Sequence, residues 1–466
     1  MKPMSNLDFF FNPKSVAIIG ASDTVRFGFA TTKFLLNSKF KTYPVHLNKT
    51  EVLGHRAYKN VKDIPDEIEL AIILVGSEHV PQTIRDCIDK GVKGIIIESA
   101  GFAETGNKKY IELQERVKQM IKTSNIRAIG PNCVGVTDFH NKFTTADVNF
   151  KRAIGGSISI IAQSGVLGNV FIDWGNAQFI GFSKSITLGN KIDIDEVDIL
   201  EYLNKDPHTR IITLYLEGTN RGKEFIDVLK NMSKPVLVLK NGRTEIGSRA
   251  VISHTSSIAG NDKMYDAVFK QNPMIFRVYD FYEMFNMAHI FASQPLLKGK
   301  NIAIITASGS LGILACDELV DKGLVLAELK QETKQKIRDI IPDYVSIKGT
   351  IDLGPAMFGT LSGTLEVIFD DENVDALIFI FAVPRWPLEQ FNFSMAPHFR
   401  LMKKLSKKYG KPTVCVCFGS RWVFEYINNS AFKFGIPVID RIEHAVNAFK
   451  MMYEYNFTVN SLQRNE

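Results

Sequence analysis

Short apolar runs alternate with amphipathic stretches along this chain. The first run, Val16 to Ile19, is followed by Gly20-Ala21-Ser22-Asp23 and by a helical stretch that begins near Phe27 or Gly28. Further runs at Tyr43 to Leu47, Leu70 to Val75, Gly94 to Ile97 and Arg127 to Ile129 predict strands. Helices are predicted from about Glu78 to Lys90 and from about Asn107 to Lys122. Strands alternating with helices predict a parallel, doubly wound sheet. Ligands on such sheets bind beyond the C-terminal ends of the strands. The turns expected there are Gly20-Ala21-Ser22, Val75-Gly76-Ser77, Ser99-Ala100-Gly101-Phe102 and Gly130-Pro131-Asn132-Cys133. All four are small and polar, so a long thin ligand can lie close to the backbone.

The first turn leads from a strand into a helix, where backbone N–H groups cradle phosphate. It departs from the dinucleotide fingerprint, because Ser22 stands in place of the second glycine. The next strand runs into Asn48-Lys49 and offers no acidic residue for a ribose. A nicotinamide cofactor is therefore disfavoured. Lys49 and Arg26 suit a phosphorylated nucleotide better.

The second half of the chain carries a repeat. Ser157 to Gly168 reads as a buried strand opening directly into a helix, and Asn301 to Gly312 repeats it with seven of twelve positions identical. Lys234 to Arg243 is echoed by Lys411 to Arg421 in the same order. Two matching segments in one order predict two α/β units of related fold, with a boundary near Ser293 to Lys300. Each copy of Ser-Gly-x-Leu-Gly places a Ser-Gly pair at a helix N-terminus, where unpaired N–H donors and the helix dipole make an anion seat. Ser164-Gly165 and Ser308-Gly309 are those two seats. If the units face each other, two helix ends can clamp one phosphoryl group.

The units differ in one respect that bears on chemistry. After Gly242-Arg243, the first continues into Arg249-Ala250-Val251-Ile252-Ser253-His254-Thr255-Ser256, a histidine among small hydroxyl residues. After Arg421 the second reads Trp422-Val423-Phe424-Glu425-Tyr426, which is helical and has no histidine. Ahead of His254, the strand Leu214-Tyr215-Leu216-Glu217 ends on a carboxylate that can orient an imidazole. These residues form a candidate phosphohistidine site, with His254 as nucleophile and Glu217 as its partner. His289 and His444 sit in helical patterns, and the remaining histidines have no paired carboxylate in a comparable context.

Composition changes little in this picture. The 466 residues suggest about three domains. The net charge of +6 is spread along the chain without a basic stripe, so nucleic acid is not implied. The five cysteines lie mostly in apolar patterns, which suits a reducing cytoplasm. Cys415 and Cys417 share a strand face but have no partners for a metal, so no metal site is expected. No apolar run reaches membrane-spanning length, and the N-terminus lacks a signal-peptide pattern. A cytoplasmic location is expected, with no membrane partner.

The chain resembles the α subunit of ADP-forming acyl-CoA synthetases, the acetate–CoA ligase relatives of succinyl-CoA synthetase. The resemblance rests on Phe11-Asn12-Pro13-Lys14-Ser15-Val16-Ala17-Ile18-Ile19-Gly20-Ala21-Ser22 and on Gly130-Pro131-Asn132-Cys133-Val134-Gly135. It rests further on Gln163-Ser164-Gly165, Ser253-His254-Thr255 and Ser308-Gly309-Ser310-Leu311-Gly312. It implies a Rossmann-like CoA-binding domain over 1–148, a flavodoxin-like ligase domain with the phosphohistidine loop over 149–294, and a related ligase-CoA domain over 295–466. It implies that His254 is phosphorylated, that Glu217 orients it, and that Ser164, Gly165, Ser308 and Gly309 seat the phosphoryl group. Gly20, Ser22, Arg26, Lys49, Gly76, Ser77, Gly101, Phe102 and Asn132 resemble the coenzyme A site. Many relatives read Asn-Pro-Lys or Asn-Pro-Asn where this chain has His46-Leu47-Asn48, so Lys49 stands one place further along.

The implied reaction is that of an acid–thiol ligase: acyl-CoA, phosphate and ADP in exchange for the acid, coenzyme A and ATP. The chain has no Gly-x-x-x-x-Gly-Lys-Ser/Thr loop for a nucleotide. ADP, ATP and Mg²⁺ are therefore expected on a separate ATP-grasp β subunit, in an α2β2 assembly. Two alternatives are a succinate-type CoA ligase subunit and a non-catalytic CoA-binding regulatory module. A scaffold alone needs neither His254 and Glu217 nor two Ser-Gly seats together, and a dicarboxylate calls for an added cation in the acyl pocket.

Overall fold

The structure is a computed structural model, which describes residues 7–146, 148, 150, 153–249, 261–347, 349–390 and 393–465. His254 and its neighbours from 250 to 260 lie outside the described residues. The chain divides into two compact units, Met1–Tyr279 and Asp280–Glu466.

The first unit holds two sheets. In the first sheet, β1 (Ser15–Ile19), β2 (Lys41–Val45), β5 (Leu70–Ile73), β6 (Gly94–Ile97) and β7 (Arg127–Ile129) run parallel in the order β2-β1-β5-β6-β7. A small hairpin of β3 (Glu51–Val52) and β4 (His55–Arg56) follows β2. β1, β5, β6 and β7 are buried along their whole length, as expected for parallel strands covered on both faces. The connecting helices are α1 (Phe29–Leu36), α2 (Val80–Lys90) and α3 (Lys108–Thr123). α2 stops at Gly91, whose left-handed φ of 78° turns its N–H back onto Cys87 O. α3 starts at Asn107, whose side chain accepts from Lys109 N. The strand order reverses between β1 and β5, which opens a crevice at their C-terminal ends.

The second sheet has the order β14-β13-β12-β10-β11-β8-β9, with β8 (Val136–Asp138), β9 (Phe143–Thr144), β10 (Gly155–Ala162), β11 (Phe182–Thr187), β12 (Ile211–Leu216), β13 (Val236–Lys240) and β14 (Ile275–Val278). β8 runs antiparallel to β11 and to β9, and the others are parallel. Its helices include α4 (Gly165–Ala177), α5 (Glu196–Lys205) and α6 (Gly222–Lys230). The second unit holds β15 (Asn301–Thr306), β16 (Val325–Leu326), β17 (Ile351–Asp352), β18 (Ala376–Phe381), β19 (Thr413–Cys417) and β20 (Val438–Ile439), all parallel. Their order is β16-β15-β18-β19-β20, with β17 against the end of β15. The repeated segments fall on equivalent strands: the first on β10 and β15, the first parallel strand of each ligase-type sheet, and the second on β13 and β19. The two ligase-type sheets are thus one fold used twice.

Long-range pairing ties the first two sheets together across residue 148, and the two compact units meet between Tyr279 and Asp280 in sequence. β8 and β9 precede residue 148 but pair into the second sheet, through Lys184↔Asp138 and Ile186↔Val136. In return, the segment after β11 joins the edge of the first sheet. Asn190 N donates to Pro131 O at 2.9 Å, Ile192 N to Gly130 O at 3.2 Å and Ile194 N to Ala128 O at 3.0 Å. Ile192 packs into the core of that sheet. Arg127 anchors the crossing, with its Nε 2.9 Å from Asp193 Oδ2. The helix Phe281–Ser293 belongs to the second unit, where Asn286 Nδ2 meets His444 Nδ1 at 3.0 Å and Glu283 Oε1 accepts from Asn447 Nδ2 at 2.8 Å. His289 on that helix is half-buried, and burial pushes its imidazole down to about 4, so it is neutral at pH 7. Among the described residues, no helix is long and apolar enough to cross a membrane.

Candidate active site

The C-terminal ends of β5, β6 and β7 and the N-terminus of α4 enclose a cavity of about 470 Å³. It is lined by Phe27, Leu74, Val75, Gly76, Glu98, Ser99, Ala100, Asn132, Cys133, Val134, Gln163, Ser164, Gly165, Val166, Gly189 and Asn190. Of the residues predicted from sequence, Gly76, Asn132, Ser164 and Gly165 come together on this wall. Gly165 lets the start of α4 pack closely on Val134, because a Cβ there would stand 2.8 Å from Val134 Cγ2 and the valine would have to shift. Ser164 is the N-cap residue of α4 and makes no side-chain cap bond. The orphan N–H groups of the first turn and the positive end of the dipole therefore remain available to an anion.

The other predicted coenzyme A residues are placed around the mouth or behind the wall. Gly20 (φ +91°) lets the turn after β1 pass Leu74, since a Cβ would come within 3.1 Å of its carbonyl carbon. Ser22 is buried, and its Oγ accepts from Arg26 Nε at 2.9 Å and from Thr24 N at 3.2 Å. This aims the exposed Arg26 side chain. Lys49 bonds both carboxylate oxygens of Asp23, at 2.5 and 2.6 Å. That bond holds the Asp23 carboxyl below its ordinary range. Burial, Lys49 and Arg26 together push His46 down. Arg26, His46 and Lys49 thus share one loop cluster beyond β1 and β2, with Lys49 already committed to a carboxylate.

The backbone of Gly101 and Phe102 is engaged by the chain itself. Their N–H groups donate to Glu104 Oε1, at 2.7 and 3.1 Å. The chain's own carboxylate occupies that turn. Glu104 Oε2 in turn accepts from Asn190 Nδ2 at 2.6 Å, which ties the turn to the segment after β11. The Phe102 side chain is wholly buried in the first sheet's core. Ser77 is buried behind Gly101, its Oγ 3.0 Å from where a Cβ would stand. The sequence offered no signal for Glu104, because its partners are brought to it by the turn itself.

Glu217 is buried just beyond β12 and is tied to the same wall. The buried Gln163, which precedes the Ser164 seat, accepts from Glu217 N at 2.9 Å and from Gly218 N at 3.2 Å through Oε1. Tyr215 OH lies 3.3 Å from Glu217 Oε1, and Asn241 Nδ2 donates to Tyr215 OH at 2.7 Å. Sequence reasoning gave Gln163, Tyr215 and Asn241 no role in the site. Only Gln163 had a signal, as the first residue of the Gln163-Ser164-Gly165 motif. In the second unit, Ser308 caps the helix Gly309–Asp321, and its N–H donates to Thr306 Oγ1 at 2.9 Å. A Cβ on Gly309 would stand 2.8 Å from Asp352 Oδ2. This seat therefore has an acidic neighbour, which the Ser164-Gly165 seat does not have at the matching place. Among the described residues, no group of three His, Cys, Asp or Glu side chains could hold a metal ion.

Fold and cavity together define a doubly wound α/β protein with a ligand-sized cleft at its strand ends. Residues 14–138 match the CoA binding domain family, and residues 155–291 match the succinyl-CoA ligase like flavodoxin domain family. The chain is 38% identical over 448 residues to the acetate–CoA ligase [ADP-forming] II subunit alpha of Pyrococcus furiosus, covering 95% of this chain and 96% of that one. It is 38% identical over 455 residues to acetate–CoA ligase [ADP-forming] II of Archaeoglobus fulgidus, covering 96% of this chain but 66% of that longer protein. Its structure is similar to that of a dinucleotide forming acetyl-coenzyme A synthetase 1 of Ca. Korarchaeum cryptofilum in complex with phosphate and ADP (TM-score 0.88, 29% identity, 99% of each chain). The chain belongs to the ADP-forming acetate–CoA ligase family and is of its α-subunit type.

Proposed function

We propose that this chain is the catalytic α subunit of an ADP-forming acyl-CoA synthetase working through a phosphohistidine at His254. The observation that carries the reading is the cavity itself. Its wall joins the strand ends of the CoA-binding sheet to the free helix end at Ser164-Gly165, and Gln163 fastens Glu217 to that same helix start.

In this reading a phosphate oxygen attacks the thioester carbonyl. The C–S bond breaks, coenzyme A leaves as the thiolate, and an acyl phosphate remains beside Ser164 and Gly165. A neutral imidazole nitrogen of His254 then attacks phosphorus, and the acid leaves as a carboxylate. Glu217 holds the opposite N–H and stabilises the cationic phosphohistidine. Finally an oxygen of ADP takes the phosphoryl group and restores the imidazole. Positioning and charge neutralisation supply most of the catalysis in such transfers. Ser308 and Gly309 stand as a second phosphate-holding helix end, opposed there by Asp352. Nucleotide and Mg²⁺ are assigned to an ATP-grasp β subunit in an α2β2 assembly, and the free, mostly buried cysteines suit a cytoplasmic setting.

A succinate-type substrate fits the cavity less well. Among the described residues its wall carries no Lys, Arg or His, and it includes the buried carboxyl side chain of Glu98. A second substrate carboxylate would have no counter-charge there. Arg26→Ala is expected to weaken coenzyme A binding about fivefold, by loss of one exposed charge-assisted contact. Calorimetric titration with coenzyme A at two salt concentrations checks this, and an unchanged affinity removes Arg26 from the site.

The test of the function is incubation of the full chain with radiolabelled phosphate and acetyl-CoA, followed by assay for acid-labile, base-stable label. Label that requires the thioester supports the reading. Absence of label with short, branched and aromatic acyl-CoAs, with the β subunit also present, overturns it and favours a CoA-binding regulatory module.

A further inference from the structure

β13 ends on a lysine that neither the predicted site nor the proposed steps employ. Lys240 is 1% exposed. Its Nζ donates to Asn241 O and lies 4.8 Å from the centre of the Tyr265 ring. Two other buried lysines of the first unit are paired with carboxylates: Lys184 with Asp206 at 2.9 Å, and Lys191 with Glu196 at 2.9 Å. Among the described residues, Lys240 forms no such pair. A buried ammonium held this way costs stability, so it calls for another reason to be there.

The hydrogen bonds around it supply one. Lys240 Nζ donates to Asn241 O, Asn241 Nδ2 donates to Tyr215 OH at 2.7 Å, and Tyr215 OH lies 3.3 Å from Glu217 Oε1. The chain's own duplication provides a control. Leu216 pairs with Lys240 between β12 and β13, as Phe381 pairs with Cys417 between β18 and β19. On that register, Ile380 stands for Tyr215, Ala382 for Glu217, Cys417 for Lys240 and Phe418 for Asn241. The same fold is thus built without any of the four polar groups.

We infer that Lys240 is a positioning residue which, through Asn241 and Tyr215, holds the Glu217 carboxyl group in place for the phosphoryl transfer proposed above. This rests on the phosphohistidine reading above. Holding the ammonium two residues away gives the carboxylate a counter-charge without locking it in a direct ion pair. Burial pushes the Lys240 amine down to about 8, with Glu217 and Asp262 acting upward and Arg277 and Lys191 downward. The counter-charge is therefore present at neutral pH and lost as the pH rises through that value.

The experiment follows the rate of His254 labelling by radiolabelled phosphate and acetyl-CoA in the full chain, with β subunit if labelling requires it. Wild type, Lys240→Met, Lys240→Arg and Tyr215→Phe are compared from neutral pH to well above about 8. At neutral pH, Lys240→Met and Tyr215→Phe are each expected to label about 10- to 100-fold more slowly, as when a supporting hydrogen-bond partner is lost. Lys240→Arg is expected to keep most of the rate and to hold it at pH values where wild type declines. Lys240→Met is expected to melt no lower than wild type, because a costly buried charge is removed. Wild-type rates and wild-type pH profiles in both Lys240→Met and Tyr215→Phe overturn the inference and leave the phosphohistidine reading standing. If wild type itself takes no label, that reading falls, and this one with it.

Discussion

Glu217→Gln is expected to slow phosphorylation of this chain by about a thousandfold, while His254→Ala abolishes it. Glutamine keeps the size of the side chain and its backbone bond to Gln163 Oε1, so the wall around Ser164 stays in place. What it removes is the negative charge. The imidazole then loses the acceptor that fixes its tautomer and the anion that stabilises it once phosphorylated. The loss should appear in the rate of transfer and leave coenzyme A affinity unchanged, because Glu217 lies outside the predicted coenzyme A contacts. Rapid-quench measurement of acid-labile label, beside a coenzyme A titration, separates the two. A Glu217→Gln protein that labels at the wild-type rate would remove Glu217 from the chemistry.

Gly189→Ala is expected to destabilise the first unit by about 3 kcal/mol or more and to abolish tight coenzyme A binding. Gly189 has φ +60°, and a Cβ there would stand 2.1 Å from Pro131 O and 2.6 Å from Asn132 O. Both are backbone atoms, so no side-chain rotation relieves the clash. The segment after β11 would have to lift from the edge of β7, breaking the bond of Asn190 N to Pro131 O and unseating Asn190 from Glu104. Gly189 and Asn190 both line the cavity, so the wall opens with them. A denaturant titration reads the stability, and calorimetry reads the binding. An unaltered midpoint would show that this crossing does not hold the sheets together.

Much of this protein was legible in its residue pattern. β6 and β7 have the bounds that their apolar runs predicted, and β1 differs by one residue. The duplication was visible in two repeated segments, and both fall on equivalent strands. The Ser-Gly pairs were expected at helix starts and are found at two. These features are local. A run of β-branched residues, a glycine after a strand or a hydroxyl before a helix acts within a few residues of itself, so the chain alone determines it.

The tertiary structure decided what depends on partners distant in sequence. The exchange of segments between the first two sheets, with β8 and β9 moving one way and Asn190 to Ile194 the other, is fixed by strand pairing that no local pattern encodes. Lys49 was expected at a phosphate and is bonded to Asp23, because two loops meet beyond β1 and β2. The Gly101-Phe102 turn holds Glu104, whose second oxygen accepts from Asn190 in the segment after β11. The chain from Lys240 through Asn241 and Tyr215 to Glu217 joins neighbouring strands whose residues are more than twenty positions apart. Its members become one group only when β12 and β13 align. Sequence thus determined which residue types were present and where each local element begins. Folding decided which charges face one another, because electrostatic and hydrogen-bond energies depend on distances that only the packed sheets set.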